Sequence, residues 1–186
     1  MSEDSQNTPV QPWLMRMSLV LARVEVVAIG ALMVLIFALL MLNVVSRAAG
    51  SPVVWVDEAA VFVMIWVALI GASLALAKRE HISVTLVSDA LPRKSRSILS
   101  SIVDLMLFLF FAVLAVILWR WFDPITYWHA DSAAAFARET FNFIYQEPTV
   151  TLGVGKIWFW LILPLFCLTG LVHTAAQLLR IKDVTP

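Results

Sequence analysis

Residues 43–92 read NVVSRAAGSPVVWVDEAAVFVMIWVALIGASLALAKREHISVTLVSDALP, and the way this stretch is parsed decides the fold. Asn43–Arg47 closes one apolar run. Ala48-Ala49-Gly50 is a turn, and Ser51-Pro52 is expected to open the next helix as its N-cap and first helical residue. Trp55, Asp57 and Glu58 then occupy early turns, where carboxylates suit the positive end of a helix dipole. A second apolar run, Ala59–Ala77, ends in Lys78-Arg79-Glu80-His81, with cations at the negative end. Ile82–Leu91 mixes apolar and hydroxyl residues irregularly, as a segment lying along a membrane surface would, and Pro92 stops it. Two long apolar runs joined by so short a turn make a helical hairpin.

The second run has two faces at helical period. Trp55, Glu58, Phe62, Trp66, Leu69 and Ser73 form a bulky stripe. Ala68, Gly71, Ala72 and Ala75 form a small one, and small residues let helix backbones approach inside a bilayer. The helix is therefore expected to meet two different neighbours.

Outward from this hairpin, the chain is apolar throughout. Of its 186 residues 61% are hydrophobic and only 14% charged, with zero formal net charge, where soluble domains carry about a quarter charged residues. Spans of roughly 20 apolar residues fit at about Val26–Val45, Ala59–Ala77, Ile102–Trp121 and Ile157–Leu179. The expected fold is a single all-α membrane domain over residues 1–186, with four transmembrane helices, an N-terminal interfacial helix, short amphipathic segments and an external loop at 122–155. Met1–Pro12 is polar and lacks a basic residue, unlike a signal peptide.

Lys and Arg set the orientation. With the N-terminus inside, that face carries Arg16, Arg23, Lys78, Arg79, Arg93, Lys94, Arg96, Arg180 and Lys182, and the other carries Arg47, Arg120, Arg138 and Lys156. The division is nine against four of the 13 basic residues, with both termini cytoplasmic.

Trp13–Val24 reads either as an interfacial helix or as a plain extension of the first span. Glu25 sits at the inner edge of that span, within snorkelling reach of water; as an intramembrane carboxylate it is also a candidate proton site. Arg47 can pair with Asp57 or Glu58 across the turn, and Asn43 shares its helical face. Asp104 lies shallowly in the third span, within reach of headgroup water or of a basic partner. Ala133–Ile144 is expected to form a short external amphipathic helix, with Phe136, Phe143 and Ile144 on one side. Pro164 should kink the last span, and Gly170 should loosen it. Cys167 reads as a small buried or lipid-facing hydrophobe. With one cysteine and three histidines at no ligand spacing, the chain offers no disulfide, thiol-redox pair, haem or metal site, and no cofactor is expected.

Taken together, Asn43 and Arg47 before the turn, Trp55, Asp57 and Glu58 after it, Trp66, Gly71 and Ala72 along the second helix, and His81-Ile82 with Val84 closing at Leu91-Pro92 resemble the small membrane subunit, DctQ-like, of tripartite ATP-independent periplasmic (TRAP) transporters. The four-span plan, the length and the inside termini fit the same family. The resemblance implies a non-enzymatic scaffold in a bacterial or archaeal inner membrane. Its implied partners are a large multi-span membrane subunit that carries substrate and sodium, a periplasmic substrate-binding protein that delivers an organic acid or similar solute, and membrane lipids, with no nucleic acid. Asn43, Arg47, Trp55, Asp57, Glu58, Trp66, Gly71 and His81 are then candidates for locking the hairpin or contacting the partner subunit. The rival reading is a self-sufficient proton-coupled exporter acting as a homodimer, with Glu25 as its proton site.

Overall fold

The computed structural model describes residues 11–78 and 92–182. It is nearly all helix: α1 (Gln11–Ala48), α2 (Trp55–Lys78), α3 (Arg93–Phe122), α4 (Pro124–His129), α5 (Ala133–Thr140), α6 (Ile157–Trp160) and α7 (Ile162–Lys182). Four helices are long and apolar enough to cross a membrane, the last of them being α6 and α7 together. The bilayer explains why nothing else spans: backbone N–H and C=O groups find no water there, and a helix satisfies them within itself.

Of the two readings left open for Trp13–Val24, the structure has the extension. α1 runs unbroken for 38 residues, about 57 Å at 1.5 Å per residue, nearly twice a hydrocarbon core of about 30 Å.

The α1–α2 turn is closed by a Schellman cap. Ser51 N–H donates to Ser46 O at 3.0 Å and Gly50 N–H to Arg47 O at 3.1 Å. Gly50 supplies the required left-handed residue at φ 76°. Helix α2 does not start at Ser51-Pro52 as the cap residues suggested. It starts at Trp55, because Ser51 is drawn back onto the end of α1 by the cap, and the chain needs residues 51–54 to reverse.

α7 is the most buried of the spans and α1 the least. α1 packs on α2, α3 packs on α7, and α7 also meets α1 and α2. The apolar centre is Leu76, Phe111, Leu118 and Cys167, and the Cys167 thiol is directed at Phe111 O, 3.4 Å away. The interruption expected from Pro164 falls at Leu161, one turn earlier, where the backbone stays helical (φ −59°, ψ −17°). Proline thus stands in the first turn of α7, where its missing N–H is least costly.

Gly170 is a packing site rather than a source of flexibility. A Cβ there would lie 2.3 Å from the Phe111 ring, and that ring is 1% exposed and set edge-on against Phe166 at 5.3 Å. With nowhere for the ring to move, Gly170→Ala should cost about 1–3 kcal/mol by overpacking. Thermal unfolding in detergent checks this, and adding Phe111→Leu should recover most of the loss.

Candidate functional site

At the end of the bundle where α1 turns into α2, the helices are joined by two polar clasps. In the first, Arg47 Nη2 pairs with Asp57 Oδ2 at 2.7 Å, Arg47 Nε donates to Asn43 Oδ1 at 2.7 Å, and Asn43 Nδ2 donates to Asp57 Oδ1. The i,i+4 spacing puts Asn43 and Arg47 on one side of α1, and the turn brings Asp57 opposite. Both ionised side chains are more than half exposed, so the pair contributes at most about 1 kcal/mol and serves mainly to orient the hairpin.

Glu58 belongs to a second clasp, and Arg47 reaches Asp57 instead of it. One Glu58 carboxylate oxygen accepts from Val150 N–H at 2.8 Å. The other accepts from Thr151 N–H and Oγ1, both at 2.6 Å, and from Leu152 N–H at 3.2 Å. Successive backbone amides curled around a carboxylate make an anion nest. The curl is held by Gly153 at φ 72°, by Thr149 Oγ1 with Val154, and by the bridge between Pro148 and Gly155.

Below this clasp the bulky face of α2 meets the fourth span of its own chain. Phe62 stacks on Phe159 with centroids 4.0 Å apart, and Trp66 Nε1 donates to Phe159 O at 3.0 Å. Ser73 Oγ donates to Thr169 Oγ1 at 2.7 Å, and Gln177 Nε2 donates to Leu76 O. The small face is left outward: Ala68 and Ala72 are exposed, and a Cβ built on Gly71 meets nothing within 4 Å. Trp55 is 41% exposed at the start of α2. His81, Ile82, Val84 and the expected surface segment to Leu91 lie outside the described residues.

The loop between the third and fourth spans is built on aromatic contacts. Asp123, left-handed at φ 37°, ends α3 and caps α4 by accepting from Thr126 N–H at 3.3 Å. Ser132 caps α5 through Ala135 N–H at 3.1 Å. The amphipathic helix ends at Thr140 rather than Ile144, because Phe141 turns left-handed. As a result Phe136 and Ile144 are buried while Phe143 is exposed. Tyr145 stacks on Tyr127 at 3.7 Å and donates its hydroxyl to Phe122 O. Burial, then the neighbouring Tyr127 and Asp123, push the Tyr145 hydroxyl pKa above its usual 10.0.

Two carboxylates lie deeper than their sequence positions suggested. Asp104 is 5% exposed and so does not reach headgroup water, and Glu25 is likewise 5% exposed. Glu25 does not snorkel to an open edge: its Oε2 stands 3.4 Å from His173 Nε2. The polar side of α7 was the signal that the sequence reading passed over. Thr169, His173 and Gln177 recur every four residues in an apolar helix and are all buried. Among the described residues no three His, Cys, Asp or Glu side chains gather as a metal site.

Glu58→Gln removes the charge that the amide nest is shaped around. It should leave the four spans folded while exposing residues 148–155 to protease cleavage several times faster, measured by limited proteolysis in detergent. Arg47→Ala should leave that rate unchanged, since Arg47 belongs to the other clasp.

The amino-acid sequence is similar to those of known proteins. Residues 36–182 match the family described as tripartite ATP-independent periplasmic transporters, DctQ component. An 80-residue stretch, 42% of this chain, is 31% identical to the sialic acid TRAP transporter permease protein SiaT of Haemophilus influenzae and spans 13% of that protein's length. A longer match of 140 residues, 75% of this chain, is 25% identical to the sialic acid TRAP transporter small permease protein SiaQ of Vibrio cholerae and spans 70% of it. With the family matched over most of its length, the chain belongs to the DctQ component family of tripartite ATP-independent periplasmic transporters.

Proposed function

We propose that this small TRAP membrane subunit acts as a scaffold, bracing a large transport subunit through the small-residue face of α2 while that subunit moves solute coupled to sodium. A periplasmic binding protein would deliver the solute, and the solute would be chosen by those other chains. The observation that carries the reading is the contrast between the two faces of α2. One face is engaged from Glu58 to Leu76 with the chain's own fourth span and the loop that leads into it. The other presents exposed Ala68 and Ala72 with open space at Gly71. Between helices in lipid, close backbone approach replaces the hydrophobic drive, and that face suits a second helix at short range.

Two further points support this reading. The resemblance to a short part of a much longer permease is what a small subunit joined to a large one in a single chain would produce. The polar side chains of α7 are also spent on neighbouring helices of this chain rather than lining a solute path. The organic acid named in the relatives is theirs; for this chain an acidic solute is an expectation. The self-sufficient exporter is not favoured, since the family match of this chain is to a transporter component rather than to a lone exporter.

Gentle extraction through a tag on this chain should yield it with one large multi-span chain. Ala72→Trp should lower recovery of that chain at least about tenfold, equivalent to about 1.4 kcal/mol, with the thermal midpoint of the small subunit unchanged. A homodimer lacking any other chain would overturn the proposal.

A further inference from the structure

Glu25 on α1 and His173 on α7 are 5% and 0% exposed, and His173 Nε2 stands 3.4 Å from Glu25 Oε2. Neither Glu25 oxygen nor His173 Nε2 has a hydrogen-bond partner elsewhere among the described residues. The second imidazole nitrogen is held: Ser18 Oγ lies 2.7 Å from His173 Nδ1. Glu25 is 20 residues from Val45, about 30 Å along α1, so the group sits at the termini side of the hydrocarbon core, enclosed between helices.

Charge balance limits what this group can be. A lone buried carboxylate or imidazolium is expensive, and removing one partner of a buried pair costs more than replacing both. Arg23, two residues from Glu25, points to another side of α1 and is exposed. Toward the same end, the other ionisable groups on the surrounding helices are Arg16 on α1, Lys78 on α2, Arg93, Lys94, Arg96 and buried Asp104 on α3, and Arg180 and Lys182 further along α7. Arg23 and Lys78 line a groove with Ser18, while the carboxylate itself faces His173.

We infer that Glu25 and His173 form a buried proton-binding site of zero net charge that ties α1 to α7, with Ser18 as the residue that positions it. His173 Nδ1–H donates to Ser18 Oγ, which leaves Nε2 as the atom that gains or gives up the proton. In one state an imidazolium faces a carboxylate. In the other the Nε2–H bond has broken, an O–H bond has formed on Oε2, and a neutral imidazole accepts from a carboxylic acid. Nothing else is consumed or released, and both states keep the pocket neutral.

The test is the thermal midpoint of the intact subunit with Glu25→Gln, His173→Gln and both together. His173→Gln strands the carboxylate and should lower the midpoint by roughly 10 °C near neutral pH. It should regain at least half of that as the pH is lowered and a proton cancels the stranded charge. Glu25→Gln leaves an imidazole able to stay neutral and should lose less than half as much. The double variant should lie above His173→Gln alone. Additive losses, or a His173→Gln loss that does not change with pH, would overturn the assignment. If His173→Gln does not accumulate, accumulation of the double variant supports the shared proton, and its absence while Glu25→Gln accumulates overturns it.

Discussion

Ser73 and Thr169 share a hydrogen bond of 2.7 Å in the interior of the bundle, and two helical turns further on Gln177 reaches the carbonyl of Leu76. These contacts set the register of α2 on α7, and the remaining packing is arranged around that register. A hydrogen bond between membrane helices is worth only about 0.6 kcal/mol on average, so their importance is geometric. Lipid tails are as apolar as leucine, and apolar side chains alone would let two spans slide past one another. Polar groups spaced along one side of α7 permit one alignment, and Gly170 then lets the Phe111 ring close in from α3.

With α7 as the common partner, the other spans divide the work. α3 brings the aromatic and aliphatic mass that fills the centre. α2 is shared between its own chain on the bulky side and the outside on the small side. α1 is the least enclosed and the longest. It touches α7 near its start through Ser18 and Glu25, and it joins α2 at the α1–α2 turn through Asn43 and Arg47. Polar contacts thus hold α1 at both ends while its middle is left largely to lipid or to another protein. A rigid frame with one wide apolar surface suits a subunit that braces another.

The end of the bundle that carries the α1–α2 turn is ordered by charge and aromatic stacking rather than by core burial. The Glu58 carboxylate organises residues 150–152, while Tyr127, Phe136 and Tyr145 organise the rest of the loop. Both devices work in water, where the short α4 and α5 could not persist on helix propensity alone. They give this end of the bundle a fixed shape next to the spans.

Much of this was legible in the amino-acid sequence. Run lengths and hydropathy determined four spans, because a bilayer imposes a minimum length that no soluble core does. The turn at Ala48–Gly50 and the two faces of α2 followed from residue size and helical period. Facing partners were not legible, since period places Asn43, Arg47, Asp57 and Glu58 near one end but cannot say which carboxylate each donor meets. Helix starts failed for the same reason: Ser51 looked like the cap of α2, yet its N–H closes the end of α1. The polar stripe of α7 was present as Thr169, His173 and Gln177, but its meaning depended on Ser73, Leu76, Ser18 and Glu25 arriving opposite it from other helices. The sequence by itself determined how many times the chain crosses and which faces are bulky or small. Only the tertiary structure decided which buried polar groups are paired, because pairing between helices depends on their rotation and register, and both are set by contacts distant in sequence.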